Sequence, residues 1–114
     1  MTKTNDQRGL FPGSLEMMIL RTLQRQPLHG YALAQQIKSA SRDLLQIEEG
    51  SLYPALQRML REGWVTAKWG VSATNRRVRI YTLTPAGARH LEQEMWSFER
   101  MLQGILRVLS PVQS

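Results

Sequence analysis

Arg76, Arg77 and Arg79 fall within four residues, and with Lys68 they give the segment 64–83 four cations and no acid. Guanidinium groups at this density suit phosphate, which they meet with charge-assisted, often bidentate hydrogen bonds. The bland alternative is a basic segment that is merely soluble, and the absence of any counter-ion among the arginines weighs against it. From Thr84 onward Arg89, Arg100 and Arg107 balance Glu92, Glu94 and Glu99, so the excess charge belongs to the upstream part of the chain. Over 114 residues, 15 Lys and Arg stand against 9 Asp and Glu, a formal charge of +6. A polyanionic partner is therefore expected.

Other residue types that carry chemistry do not assemble into a catalytic pattern. His29 and His90 are far apart and lack ligand spacing, so no metal site is expected. Adjacent Glu48 and Glu49 point in different directions on a helix or turn and make a poor acid/base pair; they suit the positive end of the helix that follows. Ser51 has no His or Lys in a nucleophile motif, there is no Gly-rich phosphate loop, and cysteine is absent. Neither an enzyme nor a cofactor is expected. The charged opening MTKTNDQRGLFPG has no signal-peptide core and no apolar run reaches membrane-spanning length, so the reading is a cytoplasmic protein with no membrane partner.

The elements that must position these residues follow from periodicity. Residues 1–12 show no period and read as a flexible arm. Ser14 is the expected cap of a first helix whose inner face holds Leu15, Met18, Ile19, Thr22 and Leu23 and which ends before Pro27. His29-Gly30 turns into a second helix, with Leu33, Ala34, Ile37 and Ala40 inside and Gln35, Ser39 and Arg42 outside. A third places Leu52, Ala55, Leu56, Met59 and Leu60 on one stripe, with Pro54, Gln57, Arg58 and Arg61 turned away, Ser51 as its expected cap and Gly63 as its terminator. The β-prone runs WVTAKWG and RVRIYTLT, joined by VSATNR, form a hairpin. Thr84-Pro85 starts a fourth helix, in which Ala88, Leu91, Met95, Phe98, Leu102, Ile105 and Leu109 repeat at alternating spacings of three and four. Residues 110–114 lose the period and should fray.

Three amphipathic helices and a hairpin are the order of a winged helix-turn-helix. The fold expected is α+β and mainly α, with a reading domain over 13–83 and a long C-terminal dimerisation helix over 84–109. In this arrangement the third helix meets DNA through its N-terminal part, so Ser51, Tyr53, Gln57, Arg58 and Arg61 become candidate contacts, alongside the hairpin arginines. Tyr31, Gln35, Lys38 and Arg42 on the second helix could touch the flanking backbone, and ordinary solvent exposure explains them equally well.

The pieces PGSLEMMIL, PLHGYALAQQI, EEGSLYPALQRMLREGWV and NRRVRIYTLTPAG, in this order and spacing, resemble the PadR-like transcriptional regulators from about Gly13 to Leu109. The resemblance implies a dimeric regulator, usually a repressor, whose paired recognition helices and wings bind a pseudo-palindromic operator. It also implies the short form, in which one C-terminal helix packs across the dimer. By position, Tyr31, Ser51, Tyr53 and Pro54 match the family's helix-turn-helix signature, and Arg76, Arg77 and Arg79 its basic wing. Similar proteins often carry Trp where Phe98 stands, at the dimer centre, and in some of them aromatic residues there help to bind flat hydrophobic effectors; here Trp96 lies two places earlier, off the heptad seam.

Physical reasoning points the same way on assembly. A helix of about 25 residues is roughly 37 Å long, more than a domain of this size needs to cover itself. The dimer seam is expected at Leu91, Met95, Phe98, Leu102, Ile105 and Leu109, widened by Met101, Leu106 and Val108. Two-fold symmetry would set recognition helices about 34 Å apart. Trp96 and Phe98, flanked by Met95 and Met101, mark a candidate pocket for a hydrophobic small-molecule effector. A winged helix that binds RNA or protein remains the alternative, because fold does not dictate partner.

Overall fold

In the structure, a computed structural model describing residues 13–111, the order is α1 (Ser14–Arg25), β1 (Leu28–His29), α2 (Gly30–Ala40), α3 (Glu49–Glu62), β2 (Val65–Val71), β3 (Arg77–Leu83) and α4 (Pro85–Leu109). The expected arm, 1–12, and the end of the tail, 112–114, lie outside the described residues. Among the described residues no helix is long and apolar enough to cross a membrane.

Helix boundaries follow local chemistry, with some corrections. Gly13, at φ 81°, precedes α1 and its carbonyl accepts from Met17 N at 3.1 Å. Ser14 is therefore the first helical residue rather than the cap, and its Oγ is buried with no hydrogen-bond partner among the described residues. α2 ends at Ala40, and Arg42 and Asp43 sit beyond it at φ 53° and 64°, so Arg42 belongs to the turn rather than to the helix face. α3 starts at Glu49 after Glu48, two residues ahead of Ser51. Ser51 does not cap it, and Pro54 stands inside the helix, where its ring cannot supply the N–H that the Gly50 carbonyl would ordinarily accept. Gly63 ends α3 at φ 79°, a conformation favouring glycine.

Hairpin strands β2 and β3 pair antiparallel from Val65 opposite Leu83 to Val71 opposite Arg77. Ser72 N donates to Arg76 O at 2.8 Å across the turn, where Asn75 takes φ 63°. The two-residue β1 was not expected: Leu28 and His29 pair with Tyr81 and Ile80, giving the sheet order β1-β3-β2.

One core joins Ile19, Leu20 and Leu23 of α1, Leu33 and Ile37 of α2, and Leu52, Leu56 and Met59 of α3, with Val65 and Tyr81 closing it from the sheet. α4 is tied on at its start. Thr84 Oγ1 accepts from Gly87 N at 3.0 Å and donates to Gly63 O at 2.7 Å, so the expected Thr84-Pro85 start also binds α4 to the end of α3. His90 stacks on Trp64 with ring centroids 3.6 Å apart.

The first turns of α4 belong to the subunit's own core. Leu91 is 1 % exposed there, a burial that contributes about 2 kcal/mol and withdraws this side chain from any dimer seam. Further on, Ile105, Leu106, Val108 and Leu109 are exposed along a molecule 61 Å in its longest dimension. Ser110 closes the helix, its N–H and hydroxyl both donating to Leu106 O.

Candidate nucleic-acid interface

The interface is built from three short stretches of chain. At the first, Gly30 opens α2 and is buried, while Tyr31 beside it is 65 % exposed. A Cβ on Gly30 would collide with Tyr53 Oη and lie 2.8 Å from Tyr53 Cε1 and Cζ, so the missing side chain lets the Tyr53 ring lie against the start of α2. On α3, Tyr53 and Gln57 are one turn apart and present one face. Burial, then the charges of Glu49 and Tyr81, pushes the Tyr53 phenol above its ordinary 10.0, which keeps it a protonated donor at neutral pH.

The hairpin supplies the opposite wall. Strand alternation puts Trp69 and Val71 of β2 on the same face as Arg77, Arg79 and Tyr81 of β3, with Trp69 directly opposite Arg79 and Val71 opposite Arg77. The Arg77 guanidinium carbon lies 4.3 Å from the Trp69 ring centroid, and that of Arg79 lies 5.4 Å away. Among the described residues none of Arg76, Arg77 and Arg79 has an acidic partner.

Between these walls runs an open groove of about 870 Å³, lined by His29, Tyr31, Glu49, Tyr53 and Gln57 on one side and Trp69, Ser72, Thr74, Arg76, Arg77 and Arg79 on the other. Its cations, hydroxyl donors and aromatic faces match a sugar-phosphate strand better than a small neutral ligand. A neighbouring groove of about 560 Å³ sets Gln35 and Tyr31 beside Ser72 and Thr74 of the hairpin turn.

Other expected contacts lie elsewhere. Arg58 Nε donates to Glu16 Oε2 at 2.7 Å and its Nη2 lies 2.5 Å from the same oxygen, which turns this guanidinium toward α1 and away from the groove. Arg61 is exposed in the last turn of α3, Pro54 is exposed in its middle, and Ser51 is half-buried in its first turn. Lys38 is half-buried near the end of α2, where its carbonyl accepts from Asp43 N at 2.9 Å. None of these four lines the groove. Trp69, absent from the expected contacts, is the main addition. Its signal lay in the alternation of W-x-V against R-x-R, which any antiparallel register of matching parity brings onto one face.

The two histidines are apart: His29 lies in β1 beside the groove and His90 stacks on Trp64. Among the described residues no three His, Cys, Asp or Glu side chains gather as metal ligands. Met17, Met18 and Ile37 face Met95, Phe98 and Leu102 across an apolar groove of about 500 Å³ between α1, α2 and α4. Trp96 does not line it; it is 62 % exposed, with the Arg100 guanidinium 4.9 Å from its ring centroid. Two residues apart on a helix, Trp96 and Phe98 diverge by roughly 200°, so one subunit does not bring them into one pocket.

Comparison with known proteins agrees with this geometry. The profile of the transcriptional regulator PadR-like family matches residues 19–93. The negative transcriptional regulator PadR of Bacillus subtilis is 27 % identical over 77 residues, spanning 68 % of this chain but 42 % of its own length. A transcriptional regulator from Clostridium thermocellum superposes with a TM-score of 0.79 at 26 % identity, covering 86 % of this chain and 95 % of that one. A PadR-like transcriptional regulator from Bacillus cereus gives 0.74 at 25 % identity, covering 88 % and 95 %. With its helix-turn-helix and basic wing, the chain belongs to the PadR-like family of transcriptional regulators and is a DNA-binding regulator.

Proposed function

We propose that this protein acts in the cytoplasm as a homodimer that binds double-stranded DNA at a pseudo-palindromic operator and represses transcription there. The observation that carries the reading is the groove in which Tyr53 and Gln57 of α3 face Arg77 and Arg79 of the hairpin, which have no acidic partner among the described residues. In this reading Gln57 reads a base edge, and the Tyr53 hydroxyl and the wing arginines hold phosphates on either side. Tyr31 and Gln35, which line the neighbouring groove beside the hairpin turn, extend the contact along α2. Dimerisation is supported by the exposed Ile105 and Leu109, which continue the seam of Met95, Phe98 and Leu102. Repression is supported by similarity to the Bacillus subtilis negative regulator.

A hydrophobic effector that relieves repression is a second element of the reading, favoured by the methionine-rich groove beside Phe98 and by the exposed indole of Trp96. Titration with planar hydrophobic compounds tests it: a changed tryptophan emission that is lost in Trp96→Phe supports a site there, and an unchanged one across the panel opposes it.

Selection of bound duplexes from a random library tests the main reading. The expected product is an inverted repeat with half-site centres about 10 base pairs apart. Failure to enrich any duplex, or enrichment of structured RNA in a parallel selection, contradicts it.

A further inference from the structure

Trp69 is a large apolar side chain left 55 % exposed on the hairpin, outside the core cluster and on the face that lines the groove. The antiparallel register puts Arg79 directly across from it and Arg77 on the diagonal, and both guanidinium groups lie over its ring. A guanidinium resting on an indole is held by attraction to the negative ring face while its N–H edge stays outward. Since neither arginine has an acidic partner among the described residues, the ring is their principal anchor.

We propose that Trp69 is a positioning residue for DNA binding, which holds Arg77 and Arg79 over its indole so that their donors are set for neighbouring phosphates before DNA arrives. The inference rests on the DNA-binding reading above. Two long side chains ordered in advance lose less freedom on association, so the uncharged ring raises affinity without adding an ionic contact. Arg76, which does not stack on the ring, serves as the internal comparison.

Two measurements decide it. In the free protein, ring-current shifts of the Arg77 and Arg79 side-chain protons should vanish in Trp69→Ala and largely persist in Trp69→Phe. On a duplex selected by the unaltered protein, Trp69→Ala should weaken binding about five- to tenfold with the salt slope unchanged, because no cation is lost. Trp69→Phe should recover most of that loss. In an Arg77→Ala/Arg79→Ala background Trp69→Ala should have no further effect, whereas beside Arg76→Ala its effect should persist in full. A Trp69→Ala loss that survives removal of both arginines overturns the positioning role, as do arginine shifts indifferent to the ring. If the unaltered protein enriches no duplex, the DNA-binding reading fails by itself, and the ring-current result still judges the contact.

Discussion

The ring of Tyr53 on α3 occupies the space that a side chain at Gly30, the first residue of α2, would need. This close approach lays the ring against the start of α2, with Tyr53 lining the groove. The required glycine is thus explained by a neighbouring ring, not by an unusual backbone conformation.

Gly30→Ala should therefore damage DNA binding more than stability. Tyr53 is 40 % exposed and can swing outward, so the cost should stay near the low end of overpacking, about 1 kcal/mol in chemical denaturation. Tyr53→Phe should weaken duplex binding about fivefold with the melting temperature unchanged, the loss of one hydrogen bond. The raised phenol pKa favours the neutral folded form, so its contribution to stability is present at neutral pH and is lost only as pH climbs above 10.0. Tyrosinate absorbance should accordingly show a late component above pH 10.0 that disappears in Tyr53→Phe.

Gly87 presents the opposite case. A Cβ there would strike the Trp64 carbonyl, with Trp64 C at 2.9 Å and Leu83 Cδ1 at 2.8 Å, and backbone cannot swing aside. Gly87→Ala should cost about 3 kcal/mol by thermal denaturation. At Gly104 an added Cβ meets nothing within 4 Å, and Gly104→Ala should stabilise by about 1 kcal/mol through helix propensity.

For Arg58 the ion pair to Glu16 implies a modest structural role. With side chains 50 % and 22 % exposed, the pair should contribute no more than about 1 kcal/mol, measurable by a double-mutant cycle. Arg58→Ala should reduce duplex affinity less than Arg77→Ala, which should also lower the salt slope by about one unit per subunit.

Much of this architecture was legible because it is written in local periodicity and punctuation. The stripe of Leu52, Ala55, Leu56 and Met59 predicts the buried face of α3, and Thr84-Pro85 predicts the start of α4. Features made by tertiary pairing were not legible. A strand of two residues carries no period, so β1 exists only because Tyr81 and Ile80 offer it an edge. The partner of Arg58 lies 42 residues away, and its identity as Glu16 depends on how α1 packs on α3. Leu91 fits a heptad as well as it fits a core, and only the packed subunit decides between them.

The outer part of α4 gives a separable prediction. Ile105 and Leu109 are exposed in the subunit, so Ile105→Glu/Leu109→Glu should leave each subunit folded while sedimentation equilibrium shifts from dimer to monomer. The melting temperature should become independent of protein concentration, and preference for the inverted repeat over a single half-site should disappear.

The central claim, that DNA enters the groove between α3 and the hairpin, is tested most directly by mapping NMR shifts as a selected duplex is added to the labelled protein. The account predicts changes concentrated at Tyr31, Tyr53, Gln57, Trp69 and Arg76 to Arg79, with Ile105 to Leu109 undisturbed. Shifts confined to α4, with the Trp69 indole and the hairpin arginines silent, would contradict it.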